Sequence, residues 1–195
     1  LREGRQGRLA VDTTSRLYPY LQVWWQEGQL LLALRDVPRR WYRRRLRVDV
    51  TVDALDVITA KERARIRSRG RIETHRCRLC TYHGAEVELS DLRADTVDAV
   101  VCSGSRIRLR GATDRLETRA QSGCLTPVKP PQADLRRLDA RTAKVEARDG
   151  AKVRCRASER VSALATERGK IRICGQGRTA FTTGCATGGS VRGLH

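Results

Sequence analysis

The chain has 195 residues, enough to bury a real core in one or two domains, and its 40 Lys and Arg against 22 Asp and Glu leave a net charge of +18. That balance favours anionic partners and says nothing about fold. Only 4% of the residues are aromatic, so Val, Leu, Ile and Ala must fill the interior, and no apolar run approaches the roughly 18 to 20 residues of a membrane-spanning helix.

The first residue is Leu1, which leaves open a signal peptide or lipid anchor ahead of it. Residues 1–10 are basic, contain Gly, lack a period and read as a loose lead-in. Leu21 to Trp25 and Leu30 to Leu34 are two apolar runs around Glu27-Gly28, the form of a β-hairpin. Trp24, Trp25, Trp41 and Tyr42 can be read as a stacking platform for bases or sugars, or as a cap over the open end of a coil; the cap is the expectation. Arg39, Arg40, Arg43, Arg44 and Arg45 surround Trp41 and Tyr42. This resembles an arginine-rich nucleic-acid segment, but so short a run between two strand-like stretches reads as a solvated loop, and nucleic acid is not the expected partner. From Leu46 to Val52 the sequence alternates with period two, placing Leu46, Val48, Val50 and Val52 on one face.

Beyond Leu55 a small residue, a polar one and an aliphatic one recur seven times, ending at Ile66, Val87, Ile107, Leu125, Val153, Ile171 and Val191, with spacings of 21, 20, 18, 28, 18 and 20. Self-similarity at that period marks stacked rungs. A second mark, Val97, Leu116, Ala143 and Val161, precedes most copies by about eight residues, so each rung carries two short strands. The predicted fold is an all-β, β-helix-like solenoid of about seven stacked rungs with an N-terminal β-hairpin cap. Residues 11–195 form one domain in this reading, with 11–55 the hairpin and capping strands and 56–195 the rungs. The aliphatic positions should stack as one internal column and Leu89, Leu109, Cys155 and Ile173 as another. Gly123, Gly169 and Gly189 are placed to take positive φ at the corners, and Pro127 to Pro131 are placed in an outward loop.

Seven cysteines do not make a simple disulfide framework. Cys102, Cys124, Cys155, Cys174 and Cys185 sit at or beside repeat positions and read as buried, packed thiols. His75, Cys77, Cys80 and His83 fall within nine residues, too close for the usual paired spacing of a zinc site; strand residues are the better reading, and neither metal nor cofactor is expected.

The order of these features resembles the putative auto-transporter adhesin head domain called GIN, found in bacterial cell-envelope proteins. It runs from a Trp-rich hairpin with Glu27-Gly28, through the strand leading to Leu55, to the rungs and the closing turn Thr187 to Val191. The resemblance covers about Val11 to Arg192, with Cys102-Ser103, Arg148-Asp149 and Thr166-Glu167 where the family carries Ser-Gly. It implies a β-helix-like fold in the cell envelope, periplasmic or surface-exposed, with no catalytic residues to carry over.

No nucleophile elbow, phosphate-cradling glycine loop or helical His-Glu pair is present. Asp134 with Asp139, or Asp91 with Asp95, would be the acid/base pair of the alternative reading, a carbohydrate-active β-helix lyase or hydrolase acting on acidic polysaccharide. A non-enzymatic binding module is the expectation. If the aliphatic column points inward, Arg65 and Arg67, Arg106 and Arg108, Lys152 and Arg154, and Lys170 and Arg172, with Arg192 beyond, form two outward basic columns interrupted only by Glu86 and Glu88. Like charges stacked in register repel, which points to an acidic polysaccharide or the phosphates of an envelope glycolipid as partner.

Overall fold

The computed structural model describes residues 8–11, 18–26, 29–38, 48–51, 55–122, 130–175 and 180–194. The chain divides into two compact units, Leu1–Asp53 and Ala54–His195. The first holds a 3-10 turn, Tyr18–Tyr20, and strands β1 (Arg8–Val11), β2 (Leu21–Gln26), β3 (Gln29–Leu34) and β4 (Val48–Thr51). Strands β2 and β3 form the expected hairpin, with Val23 opposite Leu32. Arg8–Val11 pairs antiparallel with β4, Leu9 opposite Val50. A strand leaves a row of backbone donors and acceptors to be satisfied, and the short apolar run Leu9-Ala10-Val11 supplies the match. The arginine run from Arg39 to Arg45, Trp41, Tyr42, Leu46 and Val52 lie outside the described residues.

The second unit contains β5 (Val57–Ala60), β6 (Arg65–Arg67), β7 (Arg71–Thr81), β8 (Glu86–Cys102), β9 (Arg106–Gln121), β10 (Gln132–Arg148), β11 (Lys152–Ala165), β12 (Lys170–Gly175), β13 (Ala180–Cys185) and β14 (Ser190–Leu194). Its strand order, β14-β12-β11-β10-β9-β8-β7-β5 with β6 beside β8 and β13 beside β11, places each strand next to the one a rung away. All of these pairings are parallel. This is a β-solenoid. Aligned across the ladders, positions 66, 87, 107, 133, 153, 171 and 191 share one register, at intervals of 21, 20, 26, 20, 18 and 20, which makes six turns of the coil.

Fold class and most of the internal columns match the sequence reading. Val87, Ile107, Val153 and Ile171 are buried, and Ile66 and Val191 at the two ends are partly so. Leu89 lies beside Leu109, and Cys155 beside Ile173, all four buried. Val97, Leu116, Ala143 and Val161 share one register, with Cys77 before them and position 181 after. Each fully buried Leu or Ile contributes about 1.5–3 kcal/mol.

The fourth rung differs. Ala133, not Leu125, lies between Ile107 and Val153, and Gly123, Cys124, Leu125 and residues 127–129 are outside the described residues. Gly123-Cys124-Leu125 carries the same local sequence pattern, but the register position between Ile107 and Val153 is taken by Ala133. The corners also differ from expectation. Each described corner is a turn whose two central residues are both left-handed: Glu62-Arg63, His83-Gly84, Ser103-Gly104, Asp149-Gly150, Glu167-Arg168 and Thr187-Gly188. In the last two, Gly169 N–H donates to Thr166 O at 2.8 Å and Gly189 N–H to Ala186 O at 3.1 Å, closing type I′ turns. The positive φ therefore precedes Gly169 and Gly189; these two are glycine because a Cβ would sit 2.1 Å from Ala147 O and 2.2 Å from Ala165 O. Only Glu62-Arg63 and Glu167-Arg168 lack a glycine, at a cost of about 1–2 kcal/mol for each left-handed residue with a side chain.

Of the described repeat cysteines only Cys155 is buried; Cys102 and Cys174 are half-buried and Cys185 is exposed, and Cys124 lies outside the described residues. Strand alternation explains the first two, since Val101 and Ile173 beside them take the inward positions. Cys185 sits at an inward register position, beside buried Ala165, but in the last described rung.

Candidate functional site

The strands that follow the corners alternate strictly. With the aliphatic column held inward by packing, its neighbours on both sides must face outward. One outward column runs Arg65, Glu86, Arg106, Gln132, Lys152, Lys170 and Ser190; the other runs Arg67, Glu88, Arg108, Asp134, Arg154, Arg172 and Arg192. All eight basic residues picked out in the sequence thus share one face, at the roughly 4.8 Å strand spacing of a sheet. Two interruptions were missed. Gln132 and Asp134 stand in the columns because the fourth rung starts at 132, and only the β9–β10 register could reveal that.

The electrostatics change along the axis. Arg65 Nε lies 3.3 Å from Glu86 Oε2, and Arg67 Nε 3.4 Å from Glu88 Oε2. Arg106 Nη2 donates to Gln132 Oε1 at 3.4 Å. Asp134 accepts two hydrogen bonds from Arg136, both 2.8 Å, and these hold its carboxyl below the usual range. Among the described residues, Lys152, Arg154, Lys170, Arg172 and Arg192 enter no ion pair. The last three rungs therefore carry five cations with no acid in either column.

The carboxylate pairs of the enzyme alternative are engaged elsewhere. Asp139 lies 3.3 Å from Arg156 Nη1, Asp91 Oδ2 3.1 Å from Arg71 Nε, and Asp95 Oδ2 2.9 Å from His75 Nδ1. The lowered Asp134 carboxyl is the reverse of what a general acid needs. A raised carboxyl occurs instead at Glu167, which shares a hydrogen bond with Asp149 one corner away. Their common place in the repeat is the signal that would have paired them. The His75 to His83 cluster is dispersed. His75 is exposed, Cys77 is buried with its thiol pushed up to about 11, Cys80 lies on the opposite face of the strand, and His83 is in a corner.

The sequence profile of the family described as "Putative auto-transporter adhesin, head GIN domain" matches residues 1–177. No curated protein matches the sequence. Among solved structures, a putative adhesin of Bacteroides fragilis is similar over 97% of this chain and 83% of its own, with a TM-score of 0.73 at 14% identity. A putative adhesin of Parabacteroides distasonis is similar over 100% of this chain and 86% of its own, with a TM-score of 0.66 at 14% identity. A putative lipid binding protein of the same species is similar over the same shares, with a TM-score of 0.64 at 12% identity. At these identities the likeness is one of fold.

Proposed function

Because the chain belongs to the auto-transporter adhesin head GIN domain family, we propose that it is a non-enzymatic binding module of the cell envelope or surface, holding anionic polymers against the outward basic columns of its solenoid. One observation carries this reading: Lys152, Arg154, Lys170, Arg172 and Arg192 are stacked in register with no ion-pair partner among the described residues. Bringing such charges together costs free energy that a bound polyanion recovers, and a flat, regular array matches a regularly charged chain better than one compact ligand. The earlier cations Arg65, Arg67, Arg106 and Arg108 extend the face, in part neutralised by Glu86 and Glu88. The fitting ligands are an acidic polysaccharide or the phosphates of an envelope glycolipid. A similar structure named as a putative lipid binding protein supports keeping the second in view.

The test is retention on a heparin-type column against salt. Arg106→Glu/Arg108→Glu/Arg154→Glu/Arg172→Glu should elute at much lower salt than the parent. The matched control, Arg93→Glu/Arg115→Glu/Arg119→Glu/Arg160→Glu, carries the same charge change away from this face and should move far less. Equal elution of the two variants would assign the attraction to net charge and remove the face as a site.

A further inference from the structure

Strands β2 and β3 form a two-stranded sheet of their own. Their register puts Leu21 and Val23 opposite Leu34 and Leu32, with Leu30 two residues before Leu32 on the same face, so these five described side chains of one face are all apolar. The other face has Gln22 and Trp24 opposite Ala33 and Leu31. Val23, Leu32 and Leu34 are 39%, 40% and 44% exposed, three of the four exposed large hydrophobics among the described residues. A lone two-stranded hairpin is marginal in water, and a contiguous exposed apolar face is a docking surface in search of an apolar partner.

Charge selects the partner. Residues 1–53 contain eleven Arg against six Asp and Glu, a net +5, and the chain as a whole carries +18. A second copy would offer an apolar face at the cost of like-charge repulsion, whereas an anionic bilayer offers apolar depth and opposite charge together. We propose that the β2–β3 hairpin docks on the surface of an anionic phospholipid bilayer, with Val23, Leu32 and Leu34 entering the headgroup boundary. This rests on residues separate from the strand face of the solenoid, and the two surfaces can fail independently.

All three tryptophans, Trp24, Trp25 and Trp41, lie in this unit, so intrinsic Trp fluorescence reports on it alone. The parent protein is mixed with vesicles of equal parts phosphatidylcholine and phosphatidylglycerol, with and without lipids brominated near the headgroup end of the acyl chain. Quenching by the brominated lipid, absent with phosphatidylcholine alone, is the expected result. Val23→Ser/Leu32→Ser/Leu34→Ser should bind these vesicles at least about tenfold more weakly, because each apolar side chain kept out of the interface forfeits its buried area. Arg93→Glu/Arg115→Glu, away from both surfaces, should retain the quenching. Unquenched parent fluorescence would overturn the proposal whatever the serine variant does. So would equal vesicle affinity of parent and serine variant, or a lipid-independent dimer in sedimentation that the serine substitutions abolish.

Discussion

The first three rungs of the solenoid and the last three present the same strand under opposite surface conditions. Inside, they are alike: Val87 and Ile107 early, Val153 and Ile171 late, one buried column in one register. Outside, Glu86 and Glu88 pair with Arg65 and Arg67, while Lys152, Lys170, Arg172 and Arg192 enter no ion pair among the described residues and Arg154 has Asp134 as its register neighbour. Packing across the parallel ladder fixes every inward position because each touches two neighbours roughly twenty residues away. No comparable packing constraint acts outward, so the fold leaves the charge of the late rungs free to vary.

The largest test of that contrast sets a central rung against a terminal one. Ile107→Asp, fully buried between Val87 and Ala133, should unfold the protein, since an unpaired buried carboxylate costs several kcal/mol, on the order of a domain's whole stability. Val191→Asp, in the last rung and only partly buried, should leave a cooperative urea transition with a lowered midpoint. Equal loss in both would mean that burial is not graded along the axis.

A smaller effect comes from Thr118. Its hydroxyl is buried without a hydrogen-bond partner, while its register neighbour one rung later is Val145. Thr118→Val makes the early rung like the late one and should raise stability by about 1 kcal/mol, the lower end of the penalty for an unsatisfied buried group. An unchanged or lowered urea midpoint would show that the hydroxyl is satisfied in solution.

The smallest effect is a titration. The hydrogen bond between Glu167 and Asp149 raises the Glu167 carboxyl above its ordinary value. A folded pKa above the unfolded one contributes stability that is fully present below the unfolded value and lost as pH rises through the folded value. Asp149→Asn removes the like charge, so the Glu167 carboxyl signal in NMR should titrate at lower pH than in the parent. An unmoved titration would mean that the two corner carboxyls do not interact. No such pair stands at the early corners, where His83 and Ser103 take the same place.

Much of this architecture was legible in the sequence because packing writes it there. A column that admits only aliphatic side chains repeats them at the length of a rung, and alternation then assigns Arg65 to Arg172 to the outside. The fourth rung was not legible, since Ala133 is too small to stand out and Gly123-Cys124-Leu125 imitates a corner; an inserted stretch can be removed from the count at either end. The corners were misplaced by one residue because two left-handed residues with side chains, as at Glu167-Arg168, hide the Gly that marks the same point in Ser103-Gly104. Cys102 and Cys174 were misjudged although the alternation of Val101 and Ile173 already assigned them outward.

The stacked corners have a mechanical consequence. Gly84 N–H donates to Ser103 O at 3.0 Å and Gly150 N–H to Glu167 O at 2.9 Å, so these rungs are held to the next at the corner as well as along the strands. Tension applied to the two ends of the solenoid would then peel one rung at a time, as nearest-neighbour coupling dictates. Each detached rung of about twenty residues would release a slack of roughly 70 Å. A tether built this way gives under load in steps, and the rungs still seated keep their hold.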